Sequence, residues 1–151
     1  PLPFPTLPYP AELSVALNTL KVDEPYSIKH CPPPPLWTVV GNDQVQAYYR
    51  SNPKHPMAND DNARARRRAA FLVLNFARNT PSTFTVWHME SLHVCLFDCD
   101  VSIRHDIVKA IGAIKSSSST AALAEIIKLE PESEMVIAMA TFINNALTQA
   151  G

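Results

Sequence analysis

The stretch DVSIRHDIVKAIGAI, from Asp100 to Ile114, decides how this chain is read. Its residues Ile107, Ala110, Ile111 and Ile114 recur at i, i+3, i+4 and i+7, the spacing of one face of an α-helix. The same template stands at Ala69, Leu72, Val73 and Phe76, and again at Met139, Phe142, Ile143 and Ala146. Ala69 lies 38 residues before Ile107, and Met139 lies 32 residues after it. A period in the thirties or forties signals a repeat architecture, in which each unit buries its apolar face only against its neighbours.

Each copy is preceded by a shorter amphipathic segment, near Asn42 to Ser51, Ser82 to Phe97 and Ser119 to Leu129. Asn42, Ser82 and Ser119 stand where N-cap residues are expected. Ser116 to Ser119 and the surroundings of Pro131 read as turns, the serines being open to phosphorylation as well. The expectation is three helical hairpins.

The turn residues repeat too. Asp60 is followed six residues later by Arg66, and Asp98 by Arg104. In the third copy Glu130 replaces the Asp and Val136 the Arg. This pattern, with Gly112 inside the best copy, resembles the HEAT repeats of the armadillo/HEAT superfamily. TPR-like or armadillo-like hairpins are the alternatives, but the usual TPR signature residues are missing. A carboxylate in the turn can cap the second helix, and an Arg can bridge adjacent turns with a forked hydrogen bond. The resemblance implies an all-α fold: a short right-handed α-solenoid of about three antiparallel helix pairs over residues 42–151. It also implies a protein-binding role on a curved surface without catalysis.

Proline separates the start of the chain from that body. Twelve of fourteen prolines fall in the first 56 residues. Residues 1–41 therefore read as a Pro-rich extended arm, with a possible short helix from Ala11 to Leu20 whose apolar set is Leu13, Val15, Ala16, Leu17 and Leu20. Pro32 to Pro35, ending in Leu36 and Trp37, reads as a packed strut more readily than as a ligand for SH3 or WW domains.

Composition narrows the function classes. Hydrophobic residues make up 46% and charged residues 18%, a globular balance. The net charge of −1 speaks against a molecule that binds nucleic acid by its overall field. No apolar run approaches the roughly 18 residues of a membrane span, and the start of the chain has no signal-peptide pattern. Cys31, Cys95 and Cys99 form no disulfide framework, so an intracellular, cytoplasmic setting is expected.

The candidate site follows from the template. With the apolar rows turned inward, the second helices present Arg67, Phe71 and Asn75; then His105, Lys109 and Ala113; then Ile137, Thr141 and Asn145. Together with Arg68 these form a polar, mildly basic stripe with apolar points, expected to bind a protein partner or a larger complex. The alternative is an RNA- or DNA-binding helical repeat using the cluster Arg64 to Arg68, although no aromatic residues interleave with it. An enzyme of the HEAT-like bilin-lyase kind is a third and weaker reading.

Other constellations point to ordinary structure. His88, Cys95 and Cys99 share a helical face with His93 near, but structural zinc favours four ligands and a C-x-x-C knuckle, which is missing. No G-x-S-x-G motif or phosphate-cradling loop occurs among only three glycines. Pro1 stands in no catalytic context. No catalytic residue, cofactor or metal is therefore expected. The last template helix is apolar on more than one face, so a covering by further chain, by the arm or by another subunit is expected there.

Overall fold

A computed structural model describes residues 11–22, 26–30 and 37–150. The described residues form seven helices: α1 (Ala11–Thr19), α2 (Trp37–Arg50), α3 (Asp60–Asn79), α4 (Val86–Cys95), α5 (Val101–Ile114), α6 (Thr120–Ile127) and α7 (Ser133–Ala150). Short 3-10 turns occupy Pro56–Ala58, Pro81–Thr83 and Ser117–Ser119. No strand occurs among them. A single antiparallel bridge joins Ser27 to Asp98. The expected all-α class is what the chain adopts. Residues 1–10 and 31–36, which contain Pro1 and Pro32 to Pro35, lie outside the described residues.

Helices α3, α5 and α7 lie side by side, α3 against α5 and α5 against α7. Each has a shorter helix packed on it: α1 on α3, α4 on α5 and α6 on α7. α1 also touches α4. The first partner of α3 is therefore α1 and not the segment near Asn42 to Ser51. α2 packs on the Pro56–Ala58 turn and on α5, and reaches α3 through Gln46 and Arg50. α2 also starts before Asn42 and breaks at Gly41, whose φ of 80° is open to glycine and strained for residues with a Cβ.

Local chemistry explains the helix ends. Asn59 caps α3 by accepting from the Asn62 N–H, while Asp60 and Asp61 in the first turn and Arg78 in the last complement the helix dipole. Asp100 caps α5 through the Ile103 N–H, and Lys115 ends it in the left-handed region. Thr85, rather than Ser82, caps α4: its hydroxyl accepts from the His88 N–H and the His88 ring accepts from the Thr85 N–H. Ser119 makes no side-chain cap; its hydroxyl bonds His93 instead.

One core runs through the body. α1 buries Leu13, Ala16 and Leu17, and Leu20 just after it is buried too, whereas Val15 points outward. α5 buries Ile107, Ala110 and Ile111 as its template requires, with Ile114 packed at the margin. On α3 the buried set is Ala63, Arg66, Ala69, Ala70, Val73, Leu74 and Ala77. Leu72, expected inward, is exposed, and Phe76 is half-buried. The stripe is turned because α3 is flanked by both α1 and α5, and its alanines allow close approach of both. Met139 is buried on α7, with Phe142 and Ile143 packed against the core.

Candidate partner-binding face

Three carboxylate-bearing turns hold the layer of α3, α5 and α7 in register. Arg66 of α3 bonds Asp98 in the turn before α5. Arg104 of α5 forms a forked pair with Glu130 in the turn before α7, Nε to Oε1 at 2.7 Å and Nη2 to Oε2 at 3.0 Å. All four groups are buried. The two turns share a further contact: Asp98 accepts from the Asp100 N–H and Glu130 from the Glu132 N–H, each two residues on. Arg104 also donates to the carbonyls of Asp98 and Cys99, both at 2.9 Å. The first turn is anchored from α2, where Arg50 and Gln46 donate to Asp60. The Arg50 hydrogen bond holds the Asp60 carboxyl below its ordinary range. The Asp and Glu of the turns thus serve as bridge acceptors between neighbouring helices, and the caps come from Asn59 and Asp100.

This ladder claims part of the expected stripe. Arg67 donates to both oxygens of Asp100, at 3.2 and 2.9 Å, and to Gln46 at 2.9 Å. Burial opposes its charge, but the Asp100 hydrogen bonds and charge outweigh it and hold the guanidinium above its usual range. Tyr49 adds a donor to Asp100 at 3.2 Å. Burial, reinforced by Asp100, pushes its phenol far above the ordinary value, so it stays a donor. The basic run disperses accordingly. Arg66 and Arg67 turn into the protein, exposed Arg64 lies 3.7 Å from Asp61, and Arg68 faces solvent.

Other members of the stripe remain at the surface. Phe71 is 55% exposed, Asn75 is half-buried, and Lys109 is exposed. His105 and Lys109 line a cleft of about 200 Å³ between α5 and α7, with buried Glu132 and exposed Glu134 on the other side. Its walls are apolar: Val101, Val108, Met135, Ala138 and Phe142. Burial lowers the His105 pKa, and the Lys109 charge lowers it further, leaving a neutral imidazole at neutral pH. Next to Lys109, burial raises the Asp106 carboxyl while the Lys109 and Arg78 charges oppose it. Arg78 of α3, Asp106 and Lys109 of α5, and Glu134 of α7 therefore give the face alternating charge around apolar points.

Ala113 packs at the core margin, so the α5 row loses one member. Ile137 is 66% exposed on α7. Thr141 faces solvent with its hydroxyl bonded back to the Ile137 carbonyl at 2.9 Å. Asn145 lines a different space, a cavity of about 240 Å³ beneath α6 with Gly112, Ser119 and Phe142. Leu147 is exposed on the last helix as well.

The remaining constellations separate in space. His88 is used in the α4 cap, Cys95 lies against the Leu20 carbonyl at 3.7 Å, and Cys99 lies 3.7 Å from His55. Among the described residues no three of His, Cys, Asp and Glu are placed to hold a metal ion. The pair His55 and Cys99 is not arranged for proton abstraction. His55 Nδ1 accepts from the Met57 N–H at 3.0 Å, so the neutral ring carries its proton on Nε2, the atom facing the sulfur. His93 meets Ser119 at 2.8 Å, but that serine is buried.

Sequence reasoning missed an outer feature: Val86, Trp87 and Val94 of α4 are all exposed, Trp87 at 80%. The signal was present, because α4 is apolar around most of its circumference. No protein-family model, curated protein or solved structure matches this chain. Among the described residues no helix is long and apolar enough to cross a membrane.

Proposed function

We propose that this chain is a noncatalytic protein-binding or assembly module, a short right-handed HEAT-like solenoid that takes its partner across α3, α5 and α7. The observation that supports it best is the α5–α7 cleft, an apolar-walled slot rimmed by Lys109 and Glu134, close to the charges that Lys109 shares with Asp106 and Arg78. An apolar slot with a charged rim is how protein hot spots are built. The HEAT-like reading draws support from the rungs Arg66–Asp98 and Arg104–Glu130, which link successive turns at the spacing of the motif. Residues 1–41 act in this reading as an arm anchored by α1, and the buried thiols of Cys95 and Cys99, joined in no disulfide, suit a reducing, cytoplasmic setting.

The RNA- or DNA-binding alternative is less well supported. Two of its central arginines, Arg66 and Arg67, are engaged with Asp98 and Asp100. The test is capture of partners on the immobilised chain with and without nuclease, beside a Phe71→Ala, Lys109→Glu variant. A protein partner that survives nuclease and is lost in the variant supports the module. Material that vanishes entirely with nuclease supports the nucleic-acid reading, and retention of the same partner by the variant refutes the proposed face.

A further inference from the structure

The side of the molecule away from the proposed face carries its own anomaly. α4 buries His88, Met89, Leu92 and Cys95. Its opposite side should be polar in a helix that ends at solvent. Instead it carries Val86, Trp87 and Val94, all exposed, with Glu90 and the part-exposed Ser91 between them. On α1, Val15 is exposed too. Between α1 and α4 runs a groove of about 460 Å³. Trp87, Ser91 and Val94 form its α4 wall, and Ser14, Asn18 and Lys21 its α1 wall.

We infer that this α1–α4 groove is a two-fold interface at which a second copy of the chain seats its Trp87. The surface is complementary to itself. A two-fold contact needs each patch to carry both a projection and its recess, because residue i meets j and j meets i. Here the projecting indole stands at the edge of a groove roomy enough to receive another. The charges are complementary in the same way. Lys21 lies on the α1 wall and Glu90 one turn along α4 from Trp87. Both are exposed, and neither has an ion-pair partner among the described residues. With antiparallel copies, Lys21 of each meets Glu90 of the other. A polyanion finds one lysine there beside a glutamate, which does not suit it. An exposed indole on a face that also carries exposed valines is the usual centre of a protein contact.

The interface uses α1 and α4 and leaves α3, α5 and α7 open, so it is independent of the partner-binding reading. Sedimentation of the chain over a wide concentration range tests it. The wild type is expected to reach a dimer, and Trp87→Glu to remain monomeric with an unchanged helical circular dichroism spectrum, since Trp87 contributes little to the core. Lys21→Glu and Glu90→Lys are each expected to weaken the dimer about tenfold, and the double reversal to restore it. A wild type that stays monomeric at every concentration overturns the inference. So does a dimer that Trp87→Glu leaves intact, or a double reversal no better than the single variants.

Discussion

Arg104 and Glu130 form a forked, fully buried ion pair that joins α5 to the turn before α7. Both oxygens of the carboxylate are engaged, and Glu130 also takes the Glu132 N–H. Removing one member strands a charge away from water. Glu130→Ala is therefore expected to destabilise the fold by about 3–5 kcal/mol, a large part of the stability of a typical domain. Urea unfolding followed by circular dichroism measures it. A loss below about 1 kcal/mol would show that the pair is solvated and no structural rung.

Asp98 gives a dependence on pH. Burial pushes its carboxyl up to about 6, with the Arg66 charge opposing. The folded form thus holds the proton more tightly than the unfolded chain, whose aspartate titrates near 4. By linkage its contribution is most favourable below the unfolded value and is lost as pH rises through the folded one. Relative to Asp98→Asn, the wild type should lose roughly 2 kcal/mol between pH 4 and pH 7. Unfolding midpoints of both proteins at the two pH values check the sign. An advantage of the wild type that grows toward pH 7 would mean that Arg66 outweighs burial.

Gly112 tests close packing between α5 and α7. A methyl group placed there would overlap the ring of Phe142. Alanine in a helix interior ordinarily stabilises by about 1 kcal/mol over glycine, but overpacking costs about 1–3 kcal/mol. Gly112→Ala is expected to destabilise in the wild type and to stabilise in a Phe142→Leu background. A double-mutant cycle reads the coupling directly. Stabilisation in both backgrounds would mean that the helices move apart at no cost.

The two described cysteines are expected to be inert. Burial raises the Cys95 thiol to about 12, and Cys99 is fully buried. Alkylation at pH 8 should reach neither in the native chain and both after unfolding, as peptide mass mapping shows. Native labelling of either would reveal local opening of α4 or of the turn that follows it.

Much of this architecture was legible in the chain. The i, i+3, i+4, i+7 template placed α3, α5 and α7, because helical period is a local property. The spacing of Asp98, Arg66 and Arg104 foretold bridges between turns. Glu130 looked like a departure from the motif, yet it completes the last rung, since a glutamate supplies the same forked acceptor. Val136 at the next Arg position leaves the ladder without a third rung.

What escaped the sequence depends on distant partners. Arg67 read as surface because its row points away from the apolar template, but Asp100 and Gln46 arrive from other elements and draw it in. Leu72 read as core because the template fits one contact direction, while α3 meets both α1 and α5. The place of α1 was hidden by the proline-rich composition around it. Tyr26 was equally invisible: its ring covers the buried Arg66 guanidinium at 3.9 Å, while the main chain around it bonds the turn at Phe97 and Cys99.

The proposed partner-binding face is tested most directly by hydrogen exchange on the chain alone and in complex with a captured, nuclease-resistant protein partner. The account predicts slowed exchange and side-chain protection concentrated on α5 and α7 around Lys109 and Glu134, extending to Phe71 on α3, with α1 and α4 unchanged by the partner. Protection confined to α1, α4 or the Arg64 to Arg68 surface, with the α5–α7 cleft unaffected, would contradict it.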